Sequence, residues 1–161
     1  MARGPSFEDV CDGQELAVLR RGPITTAHQM RWSAAIENWH KIHYDADFVR
    51  EHEKLPGLLV SGTLKQQFIV QALRGFAGRT GWVWKVSFEF RAMNLVGETL
   101  EVWARVAGTR RAAEFGLVDV DLGIRSEAKP ESTPGRAVVA LPFRNGPPIP
   151  YPFRPPSLLV A

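Results

Sequence analysis

The stretch GLLVSGTLKQQFIVQALRGFAG, residues 57–78, decides the fold of this chain. It begins as an apolar run and turns at Ser61-Gly62 into a segment with helical periodicity. The apolar positions that follow at the spacing of one helix face are Leu64, Phe68, Ile69, Ala72, Leu73 and Phe76. Gly75 and Gly78 are expected to stop this helix. The pattern therefore predicts one long helix after Gly62.

Four strands are predicted after the long helix. Trp82, Trp84, Val86, Phe88 and Phe90 occupy every second position, and shorter alternating runs follow at 100–106, 118–124 and 137–141. This aromatic stripe is expected to lie in the core or in a dimer interface. One long helix against a run of antiparallel strands is an α+β arrangement. Because no repeat or linker divides the chain, a single domain over residues 1–161 is expected.

The segments before the long helix and after the last strand have weaker patterns. Residues 24–31 are predicted to be extended, and Ser33 is predicted to cap a short helix through Ile36. A second short helix is predicted from Asp45 to Glu53, with Asp45 as its cap. The Pro-rich tail, 142–156, is expected to lie along the surface because proline cannot continue a sheet. The pairs Arg20-Arg21 and Arg110-Arg111 are interpreted as solvated turns.

Composition limits the function. The formal net charge of +3 without a dense Lys/Arg run argues against a nucleic-acid partner, and no apolar run is long enough to span a bilayer. The single cysteine, Cys11, excludes an intrachain disulfide. No cluster has metal-ligand spacing, so no metal is expected. A cytoplasmic location is the default expectation.

Nine consecutive residues concentrate side chains that bind or transfer protons. The segment is Glu37-Asn38-Trp39-His40-Lys41-Ile42-His43-Tyr44-Asp45. It is followed by the predicted helix start at Gly62, whose free N–H groups can hold an oxyanion. A base-rich loop combined with such a helix start is what proton transfer next to a carbonyl requires.

The order of several motifs carries a family resemblance. These motifs are Gly22-Pro23-Ile24-Thr25, Asn-x-x-x-x-His-x-Asp over 38–45, Gly-Leu-Leu-Val-Ser-Gly over 57–62, Phe88-Glu89-Phe90-Arg91, Val96-Gly97-Glu98 and Gly135 to Pro142. Together they resemble the MaoC-like hydratases and dehydratases. The resemblance is closest to the hydroxyacyl-thioester dehydratase type 2 branch, which includes mesaconyl-CoA hydratase-like proteins, and it spans nearly the whole chain.

The resemblance implies a fold, a reaction and a set of site residues. The fold is a hotdog, a long helix wrapped by an antiparallel sheet and usually dimerised. The reaction is reversible addition of water to a trans-2-enoyl thioester of CoA or acyl carrier protein, giving a (3R)-hydroxyacyl thioester. Carried over by position, the catalytic histidine is His43, the family aspartate falls at Asn38, and the thioester oxygen is bound by the N–H of Gly62. The other candidate substrate-binding residues are Ser61, Gly57 and Tyr44. Because the thioester carrier is part of the substrate, the resemblance implies no redox or organic cofactor.

Asn38 departs from the family motif. An amide orients water but cannot exchange a proton with Cα as a carboxylate does. His43 must then act alone or be helped by another group, and His40 and Glu37 are nearest in sequence. In the type 2 branch, asparagine at this position and a histidine two residues later belong to the pattern itself. The resemblance therefore implies an altered site rather than a dead one.

Simpler structural roles compete with several of these assignments. His40 fits a catalytic and a surface role equally well, Glu37 is best explained as a surface carboxylate, and Asp45 as a helix cap that holds the loop. Gly57 fits a simple turn. His28 and His52 have no supporting context.

Three functions remain possible at this stage. The first is a hydro-lyase acting on an acyl thioester. The second, kept open by Asn38, is a non-catalytic or half-catalytic subunit that binds an acyl chain beside an active partner in a heteromeric dehydratase. The third, a hotdog thioesterase, is disfavoured by the motif order. A homodimer or larger assembly, or a heteromer with another hotdog subunit, is expected, because a single hotdog leaves a hydrophobic sheet edge open.

Overall fold

The computed structural model describes residues 3–156, in which three helices precede four of the five strands. The helices are α1 (Thr26–Ala35), α2 (Ala46–Glu51) and α3 (Gly62–Ala77), and the strands are β1 (Leu19–Arg21), β2 (Trp82–Phe88), β3 (Leu100–Arg111), β4 (Phe115–Ser126) and β5 (Lys129–Pro142). Single 3-10 turns occur at Phe7–Asp9 and Lys41–His43. Among the described residues, none of the helices combines the length and apolar character that a bilayer crossing needs.

One antiparallel sheet packs against the long helix. The strand order is β1-β3-β4-β5-β2, so β1 and β2 form the two edges. The main core joins the buried face of α3, including Phe68, Ile69 and Leu73, to the inward-facing side chains of β3, β4 and β5. The predicted long helix, the four strands and the α+β class are therefore confirmed.

The C-terminal end of α3 is set by two glycines. At the C-terminus the helix passes through Gly75 and ends at Gly78, whose φ of 63° lies in the left-handed region. Gly78 also packs against the backbone of Gly4, where a Cβ atom would lie 2.1 Å from the Gly4 nitrogen. The prediction that Gly78 stops the helix is confirmed, whereas Gly75 lies inside it.

The prediction for residues 24–36 was wrong. Thr25, not Ser33, caps α1, and the backbone N–H of Thr25 donates to Nδ1 of His28 at 2.9 Å. The buried side chains of this helix are those of Gln29 and Ser33. A helix that buries polar residues has no apolar stripe, so its periodicity could not be recognised from the sequence. Strand β1 (Leu19–Arg21), which precedes this segment, was not predicted.

Both arginine pairs lie in strands rather than in turns. Arg20 and Arg21 belong to β1, and Arg110 and Arg111 end β3. All four residues are exposed, so they are solvated as expected, but their backbones are paired in the sheet. Arg110, for example, pairs with Leu117 of β4. Solvent-exposed positions of a strand accept long charged side chains without cost to the core.

A β-bulge divides the aromatic stripe between the two faces of the sheet. The pairing of β2 with β5 shifts between Val83 and Lys85. As a result Val83, Val86 and Phe88 pack on the main core, whereas Trp84 packs in a second cluster on the other face. One extra residue reverses the alternation, so the expectation of a single continuous stripe was wrong.

The Pro-rich tail covers this second cluster. Phe153 stacks on Trp82 with 5.7 Å between the ring centroids, and it also contacts Trp84 and Phe115. Ile149 packs against the same group. The tail, as far as residue 156, lies along the outer surface of the sheet as predicted.

Candidate active site

The loop between α1 and α2 holds the polar cluster through its own hydrogen bonds. Its backbone turns at Glu37, whose φ is 54°, and the N–H of Asn38 donates to the carbonyl of Ser33 at 3.0 Å. The Asn38 side-chain oxygen accepts from the N–H of His40 at 3.2 Å. The Tyr44 hydroxyl donates to the carbonyl of Trp39 at 2.8 Å. The side chains of Asn38 and Tyr44 therefore stabilise the loop.

His43 is the buried member of this loop, with 7% of its surface exposed. Its Nδ1 lies 3.0 Å from the carbonyl oxygen of Leu59. A carbonyl oxygen only accepts hydrogen bonds, so Nδ1 of the neutral ring carries the proton and Nε2 has a free lone pair. Nε2 is thus available to accept a proton from a bound water.

His40 lies beside His43 with the opposite tautomer. The two ring centroids are 6.3 Å apart. Nδ1 of His40 accepts the N–H of Ile42 at 3.4 Å, which places the proton of the neutral ring on Nε2. One imidazole therefore presents an acceptor nitrogen and the other a donor. His40 is exposed, so its ring reaches solvent.

Gln29 joins the histidine anchor to the start of α3. Its side chain is fully buried, and its Nε2 group donates to the Leu59 carbonyl at 3.2 Å. Its Oε1 accepts the N–H of Ser61 at 3.3 Å. The same amide therefore orients the carbonyl that fixes His43 and the residue that precedes Gly62. The sequence contained no signal for Gln29, because α1 was expected to be extended there.

The helix start offers backbone donors and a hydroxyl chain. Gly62 and Thr63 open α3, so their N–H groups have no carbonyl partner inside the helix. The N-terminal end of the helix dipole adds positive potential there. The Ser61 and Thr63 hydroxyl oxygens are 2.9 Å apart, and the indole N–H of Trp32 donates to Thr63 at 2.8 Å. The arrangement can stabilise an oxyanion.

Phe90 lies directly against Gly62. A Cβ atom on Gly62 would come within 2.9 Å of Cε2 of the Phe90 ring. Half of the Phe90 surface is exposed, at 51%, so the ring borders both the helix start and solvent. The lack of a side chain at Gly62 is what permits this approach.

A buried lysine lies one turn further along the helix. Lys65 is 3% exposed, and its ammonium donates to the Ala92 carbonyl at 3.0 Å and to Oδ1 of Asn94 at 3.1 Å. Burial lowers the pKa of Lys65 to about 8, against the attraction of Glu98. Burial also disfavours the charged form of Glu98, but hydrogen bonds from Asn94, Ser126 and Leu95 outweigh it and lower that pKa.

The remaining candidates have more ordinary surroundings. Asp45 caps α2 by accepting the N–H of Phe48 at 2.9 Å, and this bond, aided by Lys41, lowers the pKa of the carboxyl. The predicted capping role of Asp45 is confirmed. Glu37 is an exposed carboxylate. Gly57 is half-buried beside a Leu95 methyl group, which would lie 3.9 Å from an added Cβ.

The two other histidines lie outside this cluster. His28 belongs to the cap of α1, and His52 stacks on Phe48 with 5.3 Å between the ring centroids. The structure therefore brings His43, His40 and the helix start into one neighbourhood and gives His28 and His52 local roles.

Comparison with known families gives one sequence match. A model of the hydroxyacyl-thioester dehydratase type 2 family matches residues 12–98, which is more than half of the chain. The matched region contains the loop, both histidines, all of α3 and the segment around Asn94. No curated protein matches the chain.

The solved structures similar to this chain include a hydratase and a double hotdog protein. The (R)-hydratase from A. caviae involved in PHA biosynthesis aligns with a TM-score of 0.73 and 20% identity, over 84% of this chain and 99% of that chain. Rv0216 from Mycobacterium tuberculosis, a double hotdog, aligns with a TM-score of 0.71 and 19% identity, over 94% of this chain and 48% of its own.

A third structure is a complex of two different proteins. The ChsH1-ChsH2 complex from Mycobacterium tuberculosis aligns with a TM-score of 0.71 and 11% identity, over 81% of this chain and 98% of that chain. At these identities the three likenesses show a common fold.

Proposed function

Because this chain belongs to the hydroxyacyl-thioester dehydratase type 2 family, we propose that it adds and removes water across the 2,3 bond of an enoyl thioester. Hydration and dehydration of acyl thioesters is the general class of reaction that the family supports. The finer proposal is that the hydrated product is a (3R)-hydroxyacyl thioester of CoA or acyl carrier protein.

One observation carries the proposal. The carbonyl of Leu59 accepts from His43 Nδ1 only three residues before Gly62, so one short segment orients the base and leads into the oxyanion donor. Geometry of this kind is required for general-base catalysis next to a carbonyl, since base and donor must face one substrate together. His43 and Gly62 are therefore assigned as base and oxyanion donor.

In the hydration direction the proton and electron movements balance as follows. His43 Nε2 accepts a proton from water while the hydroxyl oxygen bonds to C3 of the enoyl group. The electrons of the double bond move to C2 and the thioester oxygen, which accepts the Gly62 N–H. His43 then delivers the proton that it took from water to C2, which restores its neutral ring. His40, whose Nε2 carries a proton, can donate a hydrogen bond within the site. Asn38 cannot supply the proton to C2, since an amide does not titrate.

Asn38 also supports the alternative of a passive subunit. Its side-chain oxygen accepts a bond from the loop backbone at 3.2 Å, a role compatible with a chain that only binds the acyl group. In that case a second hotdog protein would supply the missing carboxylate. The arrangement of His40 beside His43 favours an active chain.

The test is turnover of a short trans-2-enoyl-CoA by the isolated chain, followed through the loss of enoyl absorbance. His43→Ala is expected to lower the rate by ~10²–10⁴, the usual contribution of a general base. His52→Ala is the matched control, because that imidazole stacks on Phe48 outside the site. If folded His43→Ala turns over like the wild type, the assignment is wrong.

Two further measurements separate the alternatives. An isolated chain without activity on any enoyl thioester, which gains turnover when mixed with a second hotdog protein, would establish the passive subunit. Release of free CoA without hydration would instead identify a thioesterase.

The proposed active form is at least a homodimer. Strand β2 is an edge of the sheet, and pairing of edge strands is the usual way to close one. We place the acyl tunnel at the subunit interface and the two α3 helices near its centre.

A further inference from the structure

We propose that Lys65 is a positioning residue for this reaction: its buried ammonium holds the segment 90–94, with the Phe90 ring, against the start of α3 where the oxyanion donor lies. The inference rests on the proposed function, because it concerns the same site. Lys65 does not touch the place where the thioester is expected, so it acts through the groups it holds.

Two hydrogen bonds and one ring contact connect Lys65 to this segment. The ammonium donates to the Ala92 carbonyl and to the Asn94 side chain, and it lies 5.2 Å from the centroid of the Phe90 ring. That ring is the group that packs on Gly62. A single side chain therefore fixes both ends of the segment that borders the helix start.

The same segment also supports the anchor of His43. The carbonyl of Asn94 accepts the N–H of Val60 at 2.8 Å, and Leu59 and Leu95 form an antiparallel bridge. The Leu59 carbonyl orients the His43 ring. A displacement of Asn94 would therefore change the position of the base, His43, as well as that of the oxyanion donor, Gly62.

A purely structural role explains Lys65 less well. A lysine that is only 3% exposed has lost its hydration, and Glu98, the carboxylate that attracts it, is reached through the amide of Asn94 rather than directly. An ammonium without a direct ion pair is a costly way to tie a loop to a helix, since a neutral side chain would pack there without desolvation. Placement of the loop for the reaction accounts for the charged donor.

The experiment compares Lys65→Met with the matched control Lys85→Met. Lys85 is an exposed lysine of β2 whose ammonium lies over Trp84 on the outer face of the sheet. Lys65→Met is expected to lower kcat by about 10- to 100-fold, with KM changed by less than about threefold, because misplaced groups lose transition-state stabilisation. Lys85→Met is expected to keep wild-type kinetics.

Thermal unfolding separates positioning from a structural role. The positioning role predicts that Lys65→Met keeps its Tm within about 5 °C while kcat falls. A wild-type kcat in Lys65→Met, or a loss of activity that appears only together with a larger fall in Tm, would overturn the proposal.

A second variant covers the case in which Lys65→Met does not fold. Phe90→Ala removes a half-exposed ring and leaves the core intact. It is expected to lower kcat by about as much as Lys65→Met, and wild-type kcat in Phe90→Ala would overturn the proposal.

Hydrogen exchange distinguishes failure of this inference from failure of the proposed function. The amides of Val60 and Val96 donate to Asn94 and Leu58 across the two segments. Their exchange is expected to rise at least about tenfold in Lys65→Met, whereas the central β4 amide of Val120 keeps its rate. Absence of turnover in the wild type would contradict the proposed function. Unchanged exchange at Val60 and Val96 in Lys65→Met would contradict the role of Lys65, whether or not the wild type is active.

Discussion

Burial of the Lys65 ammonium predicts how the stability of the protein depends on alkaline pH. The pKa falls from 10.5 in the unfolded chain to about 8 in the folded protein, because burial disfavours the charged form. Between these two values the unfolded chain binds one more proton at this group than the folded protein does. The free energy of unfolding therefore rises as the pH increases through this window, and the contribution is lost as the pH falls through about 8.

The magnitude follows from the two pKa values. A difference between 10.5 and about 8, at about 1.4 kcal/mol per pH unit, corresponds to a gain of about 3 kcal/mol across the window. At neutral pH, Lys65→Met removes the buried charge but leaves the Ala92 and Asn94 oxygens without their donor, at a cost of about 1–3 kcal/mol. The two effects oppose each other, so the pH dependence is the diagnostic quantity.

The assay is urea unfolding of the wild type and of Lys65→Met at several values between pH 7 and pH 10.5. Subtraction of the two curves removes the contribution of every other titrating group. The difference is expected to increase with pH in favour of the wild type by about 3 kcal/mol. Lys85→Met, whose lysine is exposed, should give a flat difference from the wild type. A flat or falling difference for Lys65→Met would refute the reasoning.

Three further predictions concern the site and the assembly. Gly62→Val is expected to abolish enoyl-CoA turnover. The loss of stability should be modest, because the added Cβ meets the half-exposed ring of Phe90, which can move. Wild-type turnover in this variant would contradict the oxyanion assignment. Asn38→Asp is expected to keep or raise turnover, since a carboxylate also accepts the backbone N–H of His40. Asn38→Ala should lower turnover, and unchanged turnover in both variants would show that Asn38 does not belong to the site. Light scattering at micromolar concentration is expected to give a dimer or larger species, and an active monomer would rule out a tunnel between subunits.

Local periodicity was sufficient to predict most of the fold. The long helix and four of the strands were recognisable because each buries one face, and burial of one face imposes a repeat on the sequence. The prediction failed where the buried side chains were polar, as in α1 with Gln29 and Ser33. It also failed at the bulge in β2, where one residue reverses the alternation without any local signal.

The site was predictable only in part. His43, His40, Asn38 and Gly62 could be proposed because the spacing of their motifs resembles a family, and the family itself is shown by the match over residues 12–98. Gln29 and Lys65 were missed. A glutamine in a helix and a lysine near a helix start are usually solvated, so their residue types did not indicate that both would be buried.

The sequence by itself therefore determined the secondary structure with one-sided burial, the α+β class and the order of the motifs, since these properties depend on residues close together in the chain. Only the tertiary structure decided the state of the site. The proton on His43 is assigned by a carbonyl 16 residues away, and the ammonium of Lys65 is held by a side chain 29 residues away. Tautomer, desolvation and pKa depend on which distant groups pack around an atom, and that is established only when the helix and the sheet close on each other.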